Sequence, residues 1–187
     1  MRAESGQLAR GILAKTLIFI DSAGVNLALT RLHARAPKGQ RAHGKRPQKR
    51  GQNVSVVGAL SLTGLLTSVS IMGAFDGLTF EAFISQRLVP QLWPGACVIM
   101  DNCSIHLGQE IEDMINQAGA SVIYLPPYSP EFSPIENFWS KVKSILRLLE
   151  ARTYPDLAKA LEKAFEAVSL KDIENWFTNC CYCTSLE

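Results

Sequence analysis

Three acidic residues, Asp21, Asp101 and Glu136, each stand where an apolar run meets a turn. Asp21 closes TLIFID (16–21), Asp101 closes ACVIMD (96–101), and Glu136 lies in the proline-rich stretch LPPYSPEFSPIENFW (125–139). Three carboxylates brought to one point repel each other unless a cation holds them. Hard oxygen ligands with open positions suit Mg²⁺ or Mn²⁺. Two such ions roughly 4 Å apart activate a nucleophile and stabilise the leaving oxygen of a phosphodiester. Each acid also has an ordinary alternative. An Asp at a strand end caps a turn. Ser133-Pro134-Ile135-Glu136 has the form of a capping box, with Pro134 at the first helical position, where its missing N–H costs nothing. On a helical wheel Ile135, Phe138, Trp139, Val142, Ile145, Leu146 and Leu149 form the apolar stripe, and Glu136 shares a polar face with Ser140, Lys143 and Arg147. That face is either solvated or turned to a polyanion. Spacing alone leaves open whether Glu136 caps its helix or holds a metal.

The elements around these acids follow from their patterns. TLIFID and ACVIMD read as buried strands ending in Asp. NVSVVGALS (53–61) and LLTSVSIMG (65–73), separated by Leu62-Thr63-Gly64, read as a hairpin. Residues 79–92 are expected to be helical, with Thr79 as cap and Phe80, Phe83, Ile84 and Leu88 on one face. Residues 106–120 predict a helix closed by Gly119, 121–126 a strand, and 134–150 a helix. Thr153-Tyr-Pro-Asp and Ser169-Leu-Lys-Asp open two more short helices with capping-box patterns. The order implies an α/β protein with a mixed sheet and crossover helices. Ligands of such sheets bind beyond the C-terminal strand ends, which is where Asp21 and Asp101 are expected. The expected organisation is a lead-in over 1–15, a catalytic domain over 16–150 and helices over 151–187 that pack on it or extend it.

Charge is uneven along the 187 residues. Residues 31–50 hold eight of the 19 Lys/Arg and none of the 17 Asp/Glu, so the rest of the chain, with 11 cations against 17 acids, carries −6. A Gly- and Pro-containing basic segment on an acidic chain is a footprint for nucleic acid, the alternative being a solvated loop. The phosphate-contacting candidates are Arg41, Lys45, Arg46, Lys49 and Arg50 in this segment, with Lys143 and Arg147 on the helix of Glu136. Five cysteines, at 97, 103, 180, 181 and 183, make an odd count with no secretory leader pattern, which argues against a disulfide framework. No second Cys/His pair stands at zinc spacing, so ordinary free thiols are expected. No run of 18 apolar residues appears, and a cytoplasmic protein without a membrane span is expected. Trp139 and Trp176 are expected in the core, and Trp93 against the end of the 79–92 helix.

DNCSIH (101–106) and YLPPYSPEFSPIENFWSKVK (124–143) closely resemble the catalytic core of the mariner-like insertion-sequence transposases, whose last two triad acids in this branch are separated by 34 residues, as are Asp101 and Glu136. FIDSAGVNLALTRLHARAPKGQR (19–41) is similar to the first catalytic block and places Asp21 as the first acid; WFTNCCYCTS (176–185) resembles the closing segment. Ser22 and Ser133 stand where that family often has Glu and Asn. The resemblance implies a ribonuclease-H-like sheet flanked by helices with a C-terminal helical extension. It also implies metal-dependent hydrolysis of a phosphodiester at a transposon end, followed by attack of the freed 3′-hydroxyl on target DNA. Asp21, Asp101 and Glu136 would be the ligands of two Mg²⁺ or Mn²⁺ ions. His106 matches a position often histidine in the family and, with Asn102, is placed around the metal or at the DNA; a hydrogen bond at a helix start is the alternative for both. Double-stranded DNA, a homodimer or larger synaptic assembly, and a separate helix-turn-helix region or subunit are the implied partners, because only about 15 residues precede the first strand. A generic metal-dependent nuclease and a silent DNA-binding or dimerising remnant are the competing readings.

Overall fold

The computed structural model describes residues 13–45, 47–126 and 129–182. Five strands form one sheet: β1 (Leu17–Val25), β2 (Val54–Ser61), β3 (Gly64–Met72), β4 (Cys97–Met100) and β5 (Ser121–Tyr124), in the order β3-β2-β1-β4-β5. β1, β2 and β3 are antiparallel, while β1, β4 and β5 run parallel. The helices are α1 (Gly77–Phe83), α2 (Gln109–Gln117), α3 (Pro134–Leu149), α4 (Tyr154–Glu166) and α5 (Leu170–Asn179). This is the mixed α/β sheet that the alternation of strand and helix patterns predicts.

Period-two alternation along the strands divides the core between two faces. Leu17, Phe19, Ala23 and Val25 of β1 join Val54, Val56 and Leu60 of β2 beneath α3, α4 and α5. Ile18 and Ile20, with Val57, Ala59, Val98 and Met100, pack on the opposite side against Phe80, Phe83, Ile84 and Leu88 and against Ile111 and Ile115 of α2. Both faces are covered, which is why β1 and β4 open as uninterrupted apolar runs. Trp139 is buried in the first core, Trp176 packs partly buried beside it, and Trp93 packs against the second.

The spacing between sheet and α3 is set by a missing side chain. A Cβ placed on Gly58 would lie 3.2 Å from Trp139 Cζ2 and 3.2 Å from Leu65 Cδ1. Gly58 pairs with Asp21 across β1 and β2, so α3 rests on the sheet at the level of Asp21.

Several boundaries differ from those the sequence predicts. β1 does not stop at Asp21 but runs on to Val25, because Ser22–Val25 still pair with Val54–Val57 of β2 after β4 has ended. α1 is capped by Asp76 rather than Thr79: the Asp76 carboxylate accepts from Thr79 N at 2.8 Å and from Thr79 Oγ1 at 2.6 Å. The segment beyond α1 is not a regular α-helix; it widens into a π turn (Ile84–Leu88) and a 3₁₀ turn (Val89–Gln91), yet its apolar residues stay inward. α2 begins at Gln109, since residues 103–106 form a separate turn closed by His106 N donating to Cys103 O. Leu149, assigned to the α3 stripe, is 44% exposed at the end of the helix.

Candidate active site

The parallel register of β1 and β4 ends at the pair Ile20 and Met100. Asp21 and Asp101 are the next residues on each strand, so they leave the paired region side by side. Alternation puts Asp21 on the face of Phe19 and Ala23, which α3 covers, and Asp101 continues the alternation of Cys97 and Ile99 on that face. α3 brings Glu136 in its first turn. The three carboxylates line one cleft of about 460 Å³, together with Asn102, Ser129 and Ser133.

Their environments differ. Asp21 is half-buried, and its carboxyl is pushed up to about 7, first by burial and then by the charges of Glu136 and Asp101, against a lowering hydrogen bond from the Ser22 backbone. Asp101 moves the other way. The hydrogen bond from His106 holds its carboxyl below the usual range, outweighing partial burial. His106 Nδ1 donates to Asp101 Oδ1 at 2.5 Å, and Cys103 N donates to the same oxygen at 3.2 Å. Glu136 is exposed. Among the described residues no three His, Cys, Asp or Glu side chains close around a single point, so the acids share the cleft while standing apart. As a donor set they offer carboxylate oxygens alone, which is the chemistry of a hard divalent cation.

The capping-box form of Ser133–Glu136, left open by the sequence, is not realised at Ser133. Ser133 occupies the N-cap position and Pro134 the first helical position, but the Ser133 side chain makes no cap hydrogen bond. Glu136 N bonds instead to Ser133 O at 3.1 Å. Asn102 is exposed at the cleft, whereas His106 is 2% exposed and reaches the site only through Asp101.

The described residues of the basic segment 31–50 form no helix or strand, and Arg41, Lys45, Lys49 and Arg50 are exposed; Arg46 lies outside the described residues. Lys143 and Arg147 are half-buried on α3. Sequence patterns do not reveal what holds the loop's two roots. Arg152 Nη1 donates to Leu27 O and Leu29 O at 3.1 and 3.0 Å, and Gln52 N donates to Tyr154 Oη at 2.7 Å. Nor do they reveal Tyr182, whose hydroxyl donates to Phe132 O at 2.9 Å, just ahead of Ser133, while its ring lies 5.2 Å from Phe19. These bonds join segments far apart in sequence, and no local motif announces them. Cys97, Cys103, Cys180 and Cys181 are free thiols, and Cys183 lies outside the described residues. Among the described residues no helix is long and apolar enough to cross a membrane.

The profile of the DDE superfamily endonuclease family matches residues 16–158, a span that takes in all three acids. The chain belongs to that family. No curated protein matches the sequence. Among solved structures, the catalytic domain of Mos1 mariner transposase superposes with a TM-score of 0.69 at 11% identity, covering 96% of this chain and 86% of that one. The Mos1 transposase paired-end complex with left transposon end gives 0.77 at 14% identity, over 96% of this chain and 57% of that one. The Mos1 strand transfer complex gives 0.74 at 14% identity, over 96% and 59%. The shared fold is the ribonuclease-H-like one that the sequence resemblance implied. This chain spans less than three-fifths of the length of the Mos1 chains in those two complexes.

Proposed function

We propose that the chain is the catalytic domain of a DNA transposase, which cuts a phosphodiester at a transposon end and joins the freed 3′-hydroxyl to target DNA. The observation that carries this reading is the meeting of Asp21, Asp101 and Glu136 in one cleft, with the Asp21 carboxyl pushed up to about 7 by burial and by its two acidic neighbours. Membership of an endonuclease family supports the hydrolytic step. The likeness to Mos1 structures described as paired-end and strand transfer complexes, some with Mg or Mn, supports the extension to transposition.

The donor set fits divalent Mg²⁺ or Mn²⁺, two ions being the expected number, with Asp21, Asp101 and Glu136 as ligands. When bound, such ions lower the pKa of a water nucleophile and neutralise charge on the leaving oxygen. The chain's own residues prepare that chemistry. Asp21 is fixed within β1 and Asp101 just past the end of β4, where the pairing between those two strands stops, and Glu136 by the start of α3. Arg41, Lys45, Arg46, Lys49 and Arg50, with Lys143 and Arg147, hold the phosphates of double-stranded DNA. A homodimer or larger synaptic assembly brings two ends together, a helix-turn-helix region or subunit reads the end sequence, and the reaction takes place at the nucleoid in the cytoplasm.

Two measurements test this. Purified chain, with its end-reading partner supplied, nicks transposon-end DNA in Mg²⁺ or Mn²⁺ and not in Ca²⁺, and Asp101→Asn loses about 10³-fold or more, the scale of several kcal/mol of charge stabilisation. Full activity in Asp101→Asn overturns the assignment, and nicking without strand transfer favours the generic nuclease. Replacing Lys45, Lys49 and Arg50 by Gln flattens the slope of log binding against log salt by about 0.9 for each phosphate those side chains neutralise. An unchanged slope removes the loop from the DNA.

A further inference from the structure

Asp101 presents its two carboxylate oxygens to different surroundings. Oδ1 accepts both the Cys103 N–H at 3.2 Å and the His106 ring at 2.5 Å. The residue as a whole is open, with 58% of its side chain exposed, while His106 is 2% exposed. The ring packs tilted on Phe80, with centroids 4.4 Å apart and planes at 36°. Its backbone is tied down as well: His106 N donates to Cys103 O at 2.9 Å, and Tyr124 Oη donates to His106 O at 3.3 Å. An ionised carboxylate only accepts, so Nδ1 carries the proton in this hydrogen bond. The other ring nitrogen, Nε2, is buried and makes no hydrogen bond among the described residues. A phenyl ring would fill the same niche against Phe80. What the imidazole adds is the single Nδ1–H donated to Asp101.

We propose that His106 is a positioning residue for Asp101: it engages Oδ1 from inside the protein, so that Oδ2 alone is offered to a divalent cation in the cleft. The inference rests on the reading of Asp101 as a metal ligand. It assigns a division of labour between the two oxygens that neither the family membership nor the cleft itself implies. Partners of this kind, which orient a ligand without touching the metal, typically change metal affinity 10- to 100-fold when removed.

The test uses the full chain and reads two quantities: Mn²⁺ affinity by water-proton relaxation, and melting temperature in the absence of metal. His106→Phe keeps a flat ring against Phe80, removes the donor and removes the unmet Nε2. The expected result is a chain that still melts cooperatively, with Mn²⁺ binding weakened by about 10- to 100-fold. His106→Asn returns an N–H at nearly the position of Nδ1. It is expected to melt lower, since it fills the niche poorly, yet to bind Mn²⁺ within about threefold of the unsubstituted chain, well inside that range. Metal affinity thus follows the N–H donor and not the ring that fills the niche, which a purely structural histidine would not produce. Unchanged Mn²⁺ affinity in His106→Phe, or equal weakening in both variants, overturns the proposal. Mn²⁺ binding that survives Asp101→Asn overturns the site assignment itself and this proposal with it, and that outcome is seen without altering His106.

Discussion

Ser133-Pro-Ile-Glu136 and Ser169-Leu-Lys-Asp172 open two helices of the same layer with one pattern, and the two starts behave differently. At α5 the box closes. Ser169 Oγ accepts from Asp172 N at 3.2 Å, and Asp172 Oδ2 accepts from Ser169 N at 2.9 Å and from Ser169 Oγ at 2.6 Å. Lys141 of α3 adds a bond to the same oxygen at 2.5 Å. At α3 the Ser133 side chain makes no cap hydrogen bond, and the Glu136 carboxylate lines the cleft. One torsion separates them. The caps that bond their helix, Asp76, Thr153 and Ser169, have ψ of 174°, 158° and 156°, whereas Ser133 has ψ of 96°. The chain arrives at Ser133 from the 3₁₀ turn Pro130–Phe132, whose last carbonyl is held by Tyr182, so the tertiary hydrogen bond is formed directly upstream of the torsion that differs. A carboxylate bonded to its own backbone is withdrawn from the cleft; at Glu136 it is left available.

That contrast can be broken at either end. The largest effect is expected from Glu136→Gln, which should lower nicking of end DNA by about 10³-fold or more while leaving the melting temperature unchanged, because no cap is removed. Retained activity with a lower melting temperature would mean that Glu136 is a cap after all. Asp172→Ala should do the reverse. Removing the box and the Lys141 ion pair costs about 1–2 kcal/mol, seen in urea or thermal unfolding, with activity per folded molecule intact. Its pH dependence has a definite sign. The Lys141 hydrogen bond, with those from Ser169, lowers the Asp172 carboxyl from 3.8 to about 2 in the folded chain. The stability this shift contributes is therefore full above the unfolded value and disappears as pH falls through the folded one. The difference between Asp172→Ala and the unsubstituted chain should shrink between about pH 4 and pH 2; a difference that stays constant there refutes the ion pair. The smallest effect belongs to Ser133→Ala, expected within about 0.5 kcal/mol because no cap bond is present to remove, against about 1 kcal/mol for Ser169→Ala. Equal destabilisation in the two would show that the boxes are alike in solution.

Much of the scaffold was legible because its signals are local. Alternation marked both members of the β2–β3 hairpin, the apolar runs marked β1 and β4, and the Thr153 and Ser169 patterns marked real helix starts. Asp21 and Asp101 stood out through the apolar-run-then-acid pattern, whereas Glu136 was singled out by the family resemblance and its 34-residue gap from Asp101, spacing alone having left cap and ligand open. What escaped depends on partners distant in sequence. Asp21 looked like a strand end because the apolar run stops there, but β2 continues to pair with β1 beyond it. Ser133 matched a box that stays open beside a turn whose last carbonyl Tyr182 holds. Arg152, Tyr154 and Tyr182 act through backbone groups 50 or more positions away, at Leu27, Gln52 and Phe132, and backbone groups leave no trace in a sequence pattern.

Gly58 carries a consequence for distance. Two of the acids belong to the sheet and the third to the helix above it, so the thickness of the gap between those layers is itself a dimension of the site. At Gly58 that gap is closed to van der Waals range of Trp139, about one helical turn beyond Glu136. The residue serves as a shim of zero thickness. A methyl group added there would press on Trp139 and Leu65, which would have to give by a few tenths of an ångström, so position 58 bears on the layer that carries Glu136 while contributing no atom to the cleft.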